Sequence, residues 1–153
     1  MDFFDAIRQG NLDEVKLQLK ENPLLLEEVD SRGFTPLIMA TYSEQKEVTN
    51  LLIAEDANIN ATDSAGNTAL MGLCFKGFID LTKELINAGA DLNIQNKTGA
   101  TALIYAIMFG KEDISLLLIE AGADKSLKDE KGNSALYHAK IKGEKALMNL
   151  LID

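Results

Sequence analysis

The feature that most constrains this chain is a repeat of fixed length. Four segments align without a gap: DSRGFTPLIMA from Asp30, DSAGNTALMGL from Asp63, NKTGATALIYA from Asn96 and DEKGNSALYHA from Asp129. Gly33, Gly66, Gly99 and Gly132 lie 33 residues apart, and Thr35, Thr68, Thr101 and Ser134 keep the same step, as do Leu37, Leu70, Leu103 and Leu136. A second block stays in phase, with Ala57-Asn58, Ala90-Asp91 and Ala123-Asp124 each closing an apolar run. Upstream, Phe3 to Leu19 reads as the same unit without its turn, with one extra residue in the connection 21–29. A unit this short cannot bury an apolar face alone, so the pattern requires a stack in which neighbours bury it together.

Within each unit the residue types dictate the local structure. A Thr or Ser ahead of an apolar run is a helix N-cap, because its hydroxyl accepts from an orphan backbone N–H. Leu37 and Ala40 then share one helix face, and Leu70/Leu73, Leu103/Ala106 and Leu136/Ala139 copy them. Gly77, Gly110 and Gly143 are expected to stop this first helix. A second helix is expected to run to about Ile53, Ile86, Ile119 and Ile152, with Gly89 and Gly122 as stops. Asp30, Asp63, Asn96 and Asp129, each followed by glycine three residues on, read as tight turns. Asn60 and Asn93 are expected to bond the backbone of their own turns. Glu44 and Asp56 stand where the sister repeats carry glycine. A side chain in left-handed geometry costs on the order of 1 kcal/mol, so a distorted or mobile connection is expected at 43–46. Polar residues at both ends (Asp2, Asp5, Arg8 and Gln9; Lys140, Lys142, Glu144, Lys145 and Asn149) read as caps of a complete array.

The 33-residue unit, with Thr35-Pro36-Leu37 and Ala40, Gly77 with Leu85-Ile86, and Gly89-Ala90-Asp91-Leu92-Asn93, resembles the ankyrin repeat family over nearly the whole chain. The resemblance implies an all-α solenoid of stacked helix-turn-helix units with short β-turn or hairpin tips. One domain, 1–153, would hold about five repeats: 1–29 as N-terminal cap, then 30–62, 63–95 and 96–128, and 129–153 as C-terminal cap. The family's histidine is replaced by Ile38, Met71, Ile104 and Tyr137, and its proline survives only at Pro36. Apolar contacts are therefore expected in place of the family's Thr–His hydrogen bonds between repeats.

The chain offers little for chemistry. It has no G-x-G-x-x-G and no G-x-x-x-x-G-K-[ST] phosphate loop. The single histidine, His138, and the single cysteine, Cys74, cannot assemble a zinc site of the usual kind; a packing histidine and a buried inert thiol are the expectations. No catalytic set, metal or cofactor is expected. A net charge of −9 argues against nucleic acid and against an anionic membrane surface. The acidic start, Met1-Asp2-Phe3-Phe4-Asp5, is unlike a secretory signal, and the longest apolar run is far short of a membrane span, so a cytoplasmic protein is expected.

In ankyrin-like stacks the turn tips and the outward positions of the first helices line a concave groove that contacts partners. Carried over by register, the groove would hold Arg32, Phe34 and Tyr42; Asn67, Phe75 and Lys76; Lys97, Met108 and Phe109; and Lys131, Ile141 and Lys142. Tyr42, Phe75, Met108 and Ile141 recur at the 33-residue step, so stacking places them in one row of roughly 25–30 Å. The wider tip set, with Arg8 and Glu130 added, carries six basic residues against one acidic, in a protein that is acidic overall. That arrangement suits a protein partner with acidic and apolar groups, bound by a monomeric adaptor, scaffold or steric inhibitor. Two alternatives remain open in the sequence: the row as ordinary packing between first helices, and the row as a homodimer interface.

Overall fold

A computed structural model describes residues 1–152. Ten α-helices follow one another as five antiparallel pairs among these residues. The first helices are α1 (Phe3–Arg8), α3 (Pro36–Tyr42), α5 (Ala69–Lys76), α7 (Ala102–Met108) and α9 (Ala135–Lys142). Their partners are α2 (Leu12–Glu21), α4 (Lys46–Ala54), α6 (Ile79–Asn87), α8 (Glu112–Glu120) and α10 (Lys145–Leu151). A 3-10 helix, Pro23–Glu27, fills the longer first connection that carries the additional residue.

Each first helix begins as its sequence dictates. The hydroxyls of Thr35, Thr68, Thr101 and Ser134 accept from the backbone N–H groups of Ile38, Met71, Ile104 and Tyr137 at 3.1–3.4 Å. α3 packs on α5, α5 on α7 and α7 on α9, so the first helices form one layer and their partners a second. The core lies between the layers: Leu37, Leu70 and Leu103 are buried, as are Ala40, Leu73, Ala106 and Ala139. Ile38, Met71 and Ile104 are buried as well, so apolar packing does occupy the slot of the family's histidine. Tyr137, in the last pair, has no further helix pair against it among the described residues and is exposed.

Main-chain bonds tie the tips together. Ser64 N–H donates to Arg32 O, Lys97 N–H to Ala65 O and Glu130 N–H to Thr98 O, at 2.9–3.1 Å. This ladder turns a shared register into spatial adjacency. A second ladder runs under the opposite connections: Asn60 Oδ1 accepts from Asp91 N–H and Asn93 Oδ1 from Asp124 N–H, both at 2.8 Å. The expectation that these asparagines serve their own turns is corrected here. Their own turns are closed instead by Asn58 Oδ1, which accepts from Asn60 N–H, and Asp91 Oδ1, which accepts from Asn93 N–H, leaving Asn60 and Asn93 free to reach the next repeat. Glu27 takes the same role one repeat earlier, its carboxylate accepting from Asn58 N–H at 2.9 Å.

Glu44 and Asp56 do adopt left-handed geometry, with φ of 55° and 64°. The expected distortion at 43–46 is absent. Glu44 N–H bonds Thr41 O and Gln45 N–H bonds Ala40 O, as Gly110 N–H bonds Ile107 O and Lys111 N–H bonds Ala106 O. The backbone keeps the repeat geometry, and Glu44 and Asp56 bear the cost of a Cβ in left-handed conformation that glycine avoids.

Candidate functional site

The site begins at the four turns. Asp30, Asp63, Asn96 and Asp129 each use Oδ1 to accept two backbone N–H groups, from the residues two and four positions on, at 2.8–3.0 Å. Partial burial pushes the Asp30 carboxyl up, but the Phe34 and Arg32 amides and the Arg32 guanidinium outweigh it and hold the group below the ordinary carboxylate range. Asp129 behaves alike: burial opposes ionisation, and the Asn133 amide, His138 and the Lys131 amide overcome it. The fixed turns aim the tips, and with them Arg32, Lys97 and Lys131, along one edge.

The outward positions of the first helices form the floor. Phe75, Met108 and Ile141 are exposed, at 43%, 36% and 65%, while Leu70 and Leu73 on α5, Leu103 on α7 and Ala139 on α9 are fully buried. Phe109 joins them, its ring edge-to-face with Phe75 at 4.9 Å between centroids and with Tyr105 at 5.3 Å. Tyr42 is half-buried. Phe34 departs from expectation as an open groove residue: at 8% exposure it lies in the floor under the Tyr42 ring, 5.5 Å between centroids. Asn67 faces inward to its neighbour, its Oδ1 accepting from Asn96 Nδ2 at 2.8 Å.

The expected cations divide into two groups. Arg32 stacks 4.0 Å from the Phe34 ring centroid and pairs with Asp30, and Lys76 Nζ stands 4.7 Å over the Tyr42 ring. Lys97, Lys131 and Lys142 are exposed and have no ion pair among the described residues.

Gly72, Tyr105 and His138 matter to this floor and escape a register reading that looks only at the most regular positions. Nine residues after each turn acid or amide stand Met39, Gly72, Tyr105 and His138, and the irregularity of that column is the signal. Asn96 Nδ2 donates to the Tyr105 hydroxyl at 3.1 Å, and His138 Nε2 lies 2.9 Å from Asp129 Oδ2. His138 thus pairs with its own turn and is more than packing. Cys74 is fully buried, and burial pushes its thiol well above the ordinary range.

The family model for ankyrin repeats matches the chain three times, over residues 3–96, 45–129 and 70–153. The chain belongs to the ankyrin repeat family. No curated protein matches it. Ankyrin repeats are in general protein–protein interaction modules and their fold is typically non-catalytic. In this ankyrin repeat protein no helix among the described residues is long and apolar enough to cross a membrane.

Proposed function

We propose that this ankyrin repeat protein is a non-catalytic binding module, cytoplasmic and monomeric, that acts as adaptor, scaffold or steric inhibitor. Its groove takes a protein partner carrying acidic and apolar groups. One observation carries the reading: Phe75, Met108 and Ile141 on the first helices, with Phe109 just past the end of α7, lie open to solvent while the opposite faces of those helices already supply the core. Fully burying such a side chain is worth about 1.5–3 kcal/mol, so three or four suffice for a specific site. Lys97, Lys131 and Lys142 sit along the same face without ion pairs among the described residues and supply the complement to acidic groups.

The test is affinity capture with the wild type beside a Phe75→Ser/Met108→Ser/Ile141→Ser variant whose circular dichroism and melting are checked first. A partner captured by the wild type and lost by the folded variant supports the groove. Equal capture by both removes it. Sedimentation separates the homodimer alternative, because a concentration-independent monomer at micromolar concentration excludes it.

A further inference from the structure

The floor of the groove has a gap at the third repeat, and the neighbouring repeats indicate what suits it. In two repeats the side chain nine positions after the turn reaches back to that turn, through Tyr105 to Asn96 and through His138 to Asp129. Gly72 has no side chain to send. Asp63 Oδ1 is engaged by the amides of Ala65 and Asn67, and Oδ2 has no partner among the described residues. A Cβ at Gly72 would meet Tyr42 Cδ2 at 3.5 Å, which is ordinary contact, so the position accepts a small side chain without displacing the Tyr42 ring. What remains is a pocket of about 280 Å³, walled by Tyr42, Phe75, Tyr105 and Phe109, with Asp63 and Asn67 on its polar side.

We infer that this pocket receives a tyrosine side chain of the partner, its ring among these four aromatic rings and its hydroxyl donating to Asp63 Oδ2. The inference rests on the groove reading and deepens it. Three observations select the occupant. The equivalent position in the two following repeats carries an aromatic ring with a polar atom that meets the turn residue. The volume of about 280 Å³ lies at the small end of ligand pockets and accommodates one aromatic side chain. The free carboxylate oxygen calls for a donor, while edge-to-face rings such as Phe75–Phe109 favour a further ring. A partner arginine fits less well, because Lys76 Nζ over the Tyr42 ring already places a positive charge at the rim. The anchor is therefore a tyrosine set in an acidic stretch of the partner.

The test uses side-chain analogues on the full chain, read by amide resonances of residues 63–75 and 105–109. Titration with p-cresol is expected to shift these signals saturably, with a dissociation constant at least about tenfold lower than that of toluene, since a hydrogen bond to a charged acceptor is worth about that factor or more. Ethylguanidinium, the arginine analogue, is expected to bind more weakly than p-cresol. Gly72→Tyr, which returns to the third unit the ring that the fourth carries, is expected to abolish p-cresol binding, and Gly72→Ala serves as a smaller plug if the tyrosine variant does not fold. Equal affinity for toluene, tighter binding of ethylguanidinium, or p-cresol binding that survives in a folded Gly72→Tyr chain overturns the inference. The analogues need no partner, so the two readings fail separately. Absent p-cresol binding beside a serine variant that loses its partner removes the tyrosine alone, whereas a serine variant that keeps its partner removes the groove.

Discussion

Phe75 meets Phe109 edge-to-face across two repeats, 4.9 Å between ring centroids and 83° between planes, although the two do not share a register position. The contact joins exposed rings, so it contributes about 0.5–1.5 kcal/mol at most and leaves both residues available to a partner. Phe75→Ser is expected to lower stability by about 1 kcal/mol and Met108→Ser by less. Leu70→Ala, on the buried face of α5, is expected to cost about 2–5 kcal/mol. Urea denaturation of the three variants checks this, and a loss at Phe75 or Met108 as large as at Leu70 would mark them as core.

The ladder of Asn60 and Asn93 predicts a graded effect. Asn93→Ala removes the acceptor for Asp124 N–H at an exposed site, where water partly replaces it, so the expected loss is about 0.5–1.5 kcal/mol. Asn60→Ala is expected to match it. Because each bond couples two repeats, the loss is expected to come with a broader thermal transition, measurable by calorimetry, as the stack approaches independent units.

The regular part of this architecture was legible because it depends on local rules repeated in phase. The N-caps at Thr35, Thr68, Thr101 and Ser134, the four turns and the leucine core follow from residue type and spacing alone. Contacts between repeats were less legible. Asn60 looks like any turn asparagine, and only the superposition of one repeat on the next shows that its Oδ1 reaches Asp91. Phe34 looked exposed by register, but the Tyr42 ring and the Arg32 guanidinium cover it. The gap at Gly72 is defined by a side chain that is missing from one column, a signal that carries meaning only once Tyr105 and His138 are seen to reach their turns.

Glu44 and Asp56 hold left-handed backbone that glycine adopts freely at Gly77, Gly110, Gly89 and Gly122. The native strain is about 1–2 kcal/mol per site, and the added entropy of a glycine in the unfolded chain returns about half of it. Glu44→Gly and Asp56→Gly are each expected to raise stability by about 0.5–1 kcal/mol, read as a higher melting temperature. A lower one would show that the side chains contribute contacts that outweigh the strain.

Thr49, Thr82 and Ser115 occupy one buried column of the second helices. Thr82 and Ser115 donate to the carbonyls of Phe78 and Lys111 at 2.8 Å, whereas Thr49 Oγ1 is buried without a partner. An orphan buried hydroxyl costs about 1–3 kcal/mol. Thr49→Val is therefore expected to stabilise the protein by about 1 kcal/mol, and Thr82→Val to be neutral or destabilising. Chemical denaturation of the pair decides it, since equal effects would mean that the hydrogen bond of Thr82 has no net weight.

The turn carboxyls set the response to acid. Asp30 and Asp129 bind a proton less readily in the folded chain than in the unfolded one, because backbone amides and the Arg32 or His138 side chain favour the ionised form over the opposing effect of burial. Their stabilisation is complete above the ordinary carboxylate value of about 3.9 and is lost as pH falls below it through the lower folded values. Asn96 shows that an amide serves the same turn, since its Oδ1 accepts from Thr98 and Ala100. Asp30→Asn and Asp129→Asn are thus expected to keep the fold at neutral pH while removing a titrating group. Unfolding free energy measured from pH 5 to pH 2.5 is expected to fall less steeply in the double variant than in the wild type. An unchanged slope would place the acid sensitivity in other carboxylates and leave the turns with a purely geometric role.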